Sequence, residues 1–214
     1  MTRTDREAGP LAGRRQLGTG EWLASWGHTT GPAPEGWGAN GPARAGQPPA
    51  AGRGGRALRM AGQSGPGSPA CADHPSGCVI FDGVLYNRAE LRAGLADPPH
   101  PAVDDATLVL HAYRRWGEDV LRRIKGIFTL LVFDKDQDTL LCARDPLGVY
   151  PLFYAGAGQE VLVSTSIPAI LAHPGISGEL NPVLLADHLA HRWPNPAKLT
   201  HSPSLCPRSP ETQS

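Results

Sequence analysis

Cys78–Leu91, CVIFDGVLYNRAEL, holds the end of a strand, a corner and the start of a helix. Val79–Phe81 is apolar, β-branched and aromatic, which predicts a short strand. Asp82-Gly83 ends it, and the glycine allows a close or left-handed backbone there. Asn87 is placed to cap a helix running to about Leu95, with Glu90 three residues on completing a capping box. Pro98, Pro99 and Pro101 then force a loop.

Working downstream, Asp104 and Asp105 open the longest predicted helix. Leu108, Leu110, Ala112, Tyr113 and Trp116 give it an apolar stripe, and the two acids suit its positive end. Gly117 ends or bends it. A further amphipathic turn, EDVLRRIKG, is expected to close on Gly126 as a C-cap. Ile127–Phe133 and Thr139–Ala143 read as strands joined by the hairpin tip DKDQD, and their continuous apolar character predicts cover on both faces. YPLFYAG and VLVSTS supply two more strands. IPAILAHPG predicts a short helix stopped by Pro174-Gly175, and NPVLLADHLAHRW a helix capped by Asn181. Residues 194–214 are Pro/Ser-rich and read as an unstructured tail. Hairpin-paired strands flanked by helices predict a layered α/β (α+β) sandwich over residues 76–193.

Working upstream, the composition changes. Residues 1–70 contain no Val, Ile, Phe or Tyr, yet carry 16 of the 26 glycines, 8 prolines and 8 arginines without a lysine. Such a segment buries too little apolar area to offset the entropy of ordering it, so residues 1–75 are expected to be low-complexity and disordered. Trp22, Trp26 and Trp37 look isolated, with no helical or strand period. The arginine excess lacks base-reading or stacking partners, so no nucleic-acid partner is expected. The Ala/Arg/Gly/Pro skew also suits GC-rich DNA translated from a misplaced start. The net charge is zero. No run of 18 apolar residues predicts a membrane span and no signal-peptide stretch opens the chain, so a cytoplasmic protein is expected.

Cys71, Cys78, Cys142 and Cys206 show neither metal spacing nor a disulfide framework, and Cys142 reads as a reduced core thiol. His188 and His191 share a helix face without a third ligand nearby, and DKDQD lacks the glycine and terminal glutamate of an EF-hand loop. No metal or cofactor is expected. Two carboxylates at element edges are singled out: Asp82 and Asp105. Each suits the α-ammonium of an amino acid, but spacing alone favours a turn aspartate at Asp82 and a helix-cap aspartate at Asp105. Arg144-Asp145 offers either an active-site arginine or an ion pair locking a strand end.

Five blocks in order carry a resemblance: FDGVLYNRAEL, DDATLVLHAYRRWGEDVLRRIKGIFTLLVFD, LLCARDPLGVYPLFY, LVSTSIPAILAHPGISGELNP and LLADHLAHRW. Together they resemble the glutaminase domain of glutamine-hydrolysing asparagine synthetases. That is a class II glutamine amidotransferase with the N-terminal-nucleophile hydrolase α-β-β-α sandwich. The resemblance implies a domain that binds glutamine, whose N-terminal cysteine attacks the side-chain amide with its own α-amine as base. It implies a strand-end motif Asn-Gly-Glu, in which the asparagine and the glycine amide form the oxyanion hole and the glutamate helps hold substrate. Those positions here are Asp82, Gly83 and Val84. It implies that Asp105 binds the glutamine α-ammonium.

Asp82 replaces a donor with an acceptor, which is expected to cost on the order of a hundredfold in rate or more. Val84 cannot bond to substrate. Thr2, exposed by methionine removal, is the one N-terminal nucleophile candidate; Cys71 or Cys78 would require processing. The expectation is an incomplete or degenerate glutaminase-like domain, its N-terminal strands missing or degenerate. Its partners would be glutamine or a related amino acid and a synthetase domain, to which ATP and Mg belong. Catalytically dead relatives among β-lactam synthetases and lasso-peptide cyclases fit the same reading. The alternatives are an amino-acid-binding module using Asp105, and a working glutaminase using Thr2 or a processed cysteine.

Overall fold

The structure is a computed structural model that describes residues 17, 20–28, 56–62, 67–179 and 182–190. Its strands are β1 (Trp22–His28), β2 (Arg56–Gly62), β3 (Ala70–His74), β4 (Gly77–Leu85), β5 (Gly126–Asp134), β6 (Thr139–Arg144), β7 (Phe153–Ala157) and β8 (Glu160–Ser164). Its α-helices are α1 (Arg88–Ala93), α2 (Asp105–Trp116), α3 (Ile167–Leu171) and α4 (Pro182–Leu189). The strands form two antiparallel four-stranded sheets, ordered β3-β4-β5-β6 and β2-β1-β8-β7.

Strand alternation builds the layers, because successive side chains point to opposite faces. From β4 and β5, Val79, Phe81, Phe128, Leu130 and Val132 pack outward against Leu91 of α1 and Leu108, Val109 and Ala112 of α2. The alternate residues Cys78, Ile80, Leu131 and Phe133 face inward and meet Trp22, Ala24, Leu58, Met60 and Val163 of the second sheet. On that sheet's far side Leu23, Leu162 and Ala155 pack on Ala169 and Ile170 of α3. The order is helix, sheet, sheet, helix: an α+β sandwich with three cores.

The expected disorder of residues 1–75 does not hold for β1, β2 and β3, which are strands. Trp22, Ala24 and Trp26 share the face of β1 that looks into the sandwich, while Leu23 points to the opposite core. The period is two, and alanine and serine between the large residues conceal it. Trp37, the proposed Asn181 cap and residues 194–214 lie outside the described residues.

Asp104 caps α2, accepting the Thr107 N–H at 2.7 Å. Asn87 makes no cap: its amide donates to the Arg123 carbonyl at 2.8 Å and its oxygen accepts the Lys125 N–H at 2.9 Å. The side chain therefore pins the segment entering β5 instead of the helix start. The turn after α2 is a 3-10 helix, Gly117–Arg122, and Gly126 opens β5 instead of capping a helix. β5 is buried as its apolar run predicts. β6 is an edge strand with half-exposed faces, and Cys142 is exposed on it, correcting both the expected cover and the expected core thiol.

Candidate functional site

At the β4–β5 corner two glycines let the strands close up. Gly83 has φ +137° and a Cβ there would overlap the Ile127 carbonyl oxygen; a Cβ on Gly126 would overlap the Val84 carbonyl oxygen. No L side chain fits the first position without strain and displacement. The corner holds Asp82, opposite Thr129 on β5, on the edge of the inner core.

Asp82 is almost fully buried, and Trp22 Nε1 of the other sheet donates to its Oδ2 at 2.6 Å. The Tyr150 and Thr165 hydroxyls also act on this carboxyl and lower its pKa. Burial pushes its pKa up and these donors pull it down; burial wins, so the group sits above the ordinary aspartate value. Tyr150 answers in kind: burial and the negative Asp82 beside it raise its hydroxyl pKa.

Tyr150 is delivered by a loop folded around the Asp145 carboxylate. Asp145, 2% exposed, accepts the N–H groups of Leu147 and Val149 at 3.1 Å and of Tyr150 at 3.0 Å. Burial alone would raise its pKa, but these N–H groups outweigh it and hold the carboxyl below the ordinary range. The described partners of the Asp145 carboxylate are thus backbone groups of its own loop, and the strand end is locked by them and not by an Arg144–Asp145 ion pair.

Asp105 is the first residue of α2. Its Oδ2 accepts the Leu85 N–H at 3.4 Å. Its Oδ1 is buried, has no hydrogen bond of ordinary geometry, and faces the Arg88 guanidinium in an ion pair. Arg88 also donates to the Val103 carbonyl.

The structure brings Asp82, Gly83 and Asp105 to one cleft of ≈ 420 Å³, together with Arg88, Asp104 and Tyr150. Three carboxylates and one guanidinium give the cleft an acidic lining suited to an ammonium group. Trp22, Arg88, Tyr150 and Thr165 were not singled out from the sequence. Their signal is spatial, since Trp22 and Asp82 lie 60 residues apart. Thr2 lies outside the described residues. Cys71 and Cys78 are poor nucleophiles as placed. Burial, reinforced by Asp104 and Asp82, pushes the Cys71 pKa up to about 12, and burial pushes Cys78 up to about 12. Among the described residues no group of three or more His, Cys, Asp or Glu could hold a metal ion, and no helix is long and apolar enough to cross a membrane.

The glutamine amidotransferase domain family matches residues 54–203, and so takes in β2 and β3 as well as the five blocks. The chain belongs to that family. This amidotransferase domain is 39% identical over 105 residues to asparagine synthetase 3 (glutamine-hydrolyzing) of Bacillus subtilis (strain 168), covering 48% of this chain and 17% of that one. It is 41% identical over 91 residues to a putative glutamine-hydrolyzing asparagine synthetase of Mycobacterium bovis, covering 40% and 14%. The chain therefore spans about a sixth of the length of these relatives. Among solved structures it is similar to the glutamine phosphoribosylpyrophosphate amidotransferase of B. subtilis complexed with ADP and GMP. That match has a TM-score of 0.41 and 20% identity, and covers 54% of this chain and 28% of the other.

Proposed function

We propose that this asparagine synthetase-related amidotransferase domain holds glutamine or a related amino acid in the Asp82–Asp105 cleft and does not hydrolyse it. The observation that carries the reading is the buried Asp82 carboxyl, bonded at 2.6 Å to Trp22 Nε1. Amide hydrolysis builds negative charge on the carbonyl oxygen, and that charge needs donors aimed at it. The corner presents an acceptor instead, and the Trp22 indole N–H beside it is already spent on that acceptor. Val84, where the resemblance implies a substrate-holding glutamate, is apolar and 57% exposed. Asp105 supplies the complementary half: a carboxylate lining the cleft that suits an α-ammonium.

In this reading the domain is a degenerate glutaminase that serves as a binding scaffold for a synthetase region of the kind named in its relatives. ATP and Mg²⁺ are assigned to that region and not to this cleft. The test is ammonia release from L-glutamine by the purified chain. The reading expects no release above buffer. Release that follows protein concentration and disappears in Thr2→Ala or Cys71→Ala would replace it with a working glutaminase.

A further inference from the structure

The Arg88 guanidinium pairs with Asp105 in the cleft. The Asp105 Oδ1 atom is buried and its described partner is the Arg88 guanidinium, which is tethered in turn to the Val103 carbonyl. Arg88 opens the short helix α1, where a cation opposes the helix dipole. Nothing in α1 itself favours a cation there; the contacts to Asp105 and Val103 hold it. It is also the one cation among the lining residues of a cleft with three carboxylates.

We infer that Arg88 is an internal competitor for the Asp105 subsite: a built-in guanidinium that holds the ammonium position and must be displaced for an amino acid to bind. The inference rests on the reading of Asp105 as the ammonium site. It adds that affinity is set by exchange of one cation for another, and not by capture at a free carboxylate. The Arg88 side chain is 37% exposed and Asp105 19% exposed, so the displaced guanidinium has water to move into. Exchange therefore costs what a partly exposed ion pair is worth, a factor of roughly two to five in binding.

Calorimetric titration of the full chain separates the possibilities. The probes are L-glutamine and 4-aminobutanamide, which keeps the amine and the side-chain amide but has no carboxylate. Arg88→Met removes the competitor at similar length, and Arg88→Gln serves should methionine disturb folding. Both variants are expected to bind both probes roughly two- to five-fold more tightly than the native chain, while Arg88→Lys, which keeps a cation, gains less. Unchanged or weaker binding by the neutral variants, with measurable binding by the native chain, overturns the competitor role and leaves the amino-acid reading standing. Weaker binding of L-glutamine alone would show that Arg88 receives the ligand carboxylate. Absence of binding by every variant removes the ammonium site itself.

Discussion

The two sheets of the sandwich do the same structural work with different residues. In the first, β4 and β5 are filled with Val, Ile, Leu and Phe, and nearly every position from Cys78 to Phe81 and from Phe128 to Phe133 is buried. In the second, β1 and β2 come from a segment without Val, Ile, Phe or Tyr, yet WLASWGH and RALRMAG are buried almost as fully. Strand formation in β1 therefore owes little to intrinsic propensity. It is imposed by pairing with β2 and β8 on its two edges and by facing Ile80, Leu131 and Phe133 across the sandwich. The candidate site is divided the same way: the propensity-driven sheet carries Asp82, and the context-driven sheet supplies Trp22 that holds it.

The largest expected effect strikes the context-driven sheet. Trp22→Ala removes a side chain with no exposure and strands the buried Asp82 carboxyl, so a loss of about 3–5 kcal/mol is expected in urea denaturation. A loss below about 1 kcal/mol would mean that β1 is not an integral part of the sandwich. Next comes the glycine of the propensity-driven sheet. Gly83→Ala forces a Cβ onto the Ile127 carbonyl at φ +137°, and should cost about 3 kcal/mol or more. Its counterpart Gly27 on β1 approaches β8 almost as closely, with a built Cβ 2.6 Å from the Gln159 carbonyl oxygen, but without a positive φ. Gly27→Ala should therefore destabilise measurably, yet less than Gly83→Ala. The reverse order in thermal unfolding would contradict the close pairing drawn for the β4–β5 corner.

A smaller effect concerns pH. Because burial holds the Asp82 pKa above its ordinary value, the folded state keeps a proton there that the unfolded chain has released, but only in the pH interval between the two values. Its contribution is complete below the ordinary aspartate pKa and is lost as pH rises through the raised one. Asp82→Asn should flatten that part of the stability–pH curve; an unchanged slope would place the carboxyl in water. Asp145 has the opposite sign. Its depressed pKa gives a contribution present above the ordinary value and lost as pH falls through the depressed one. The smallest change is Asn87→Ala, which removes two hydrogen bonds to the 123–125 segment and should cost about 1 kcal/mol without altering α1 helicity. Loss of the helix would restore the capping role that the structure denies it.

These differences explain what could be read from the sequence. The β4 corner, α2, the β5–β6 hairpin and α3 were all legible, because periodicity and turn residues report local rules, although the cap of α2 is Asp104 and not the Asp105 that the pattern offered. β1 and β2 were not, because low-propensity residues become strands only against a surface built elsewhere in the chain. Asn87 fits a capping pattern and is drawn off by a stronger long-range pair of partners. Within the cleft, Asp82, Gly83 and Asp105 stood out as edge residues, whereas Arg88, Tyr150 and Trp22 join them only through tertiary contacts. The apolar pattern of β6 likewise says nothing about its position at a sheet edge.

One measurement bears most directly on the account: the heat of titrating the whole chain with L-glutamine. Binding without turnover gives a saturating isotherm in which each injection returns to baseline, and Asp105→Asn abolishes it. That is the predicted result. A sustained heat flow after each injection, the signature of continuing hydrolysis, would contradict the claim that the Asp82 corner has lost its catalysis.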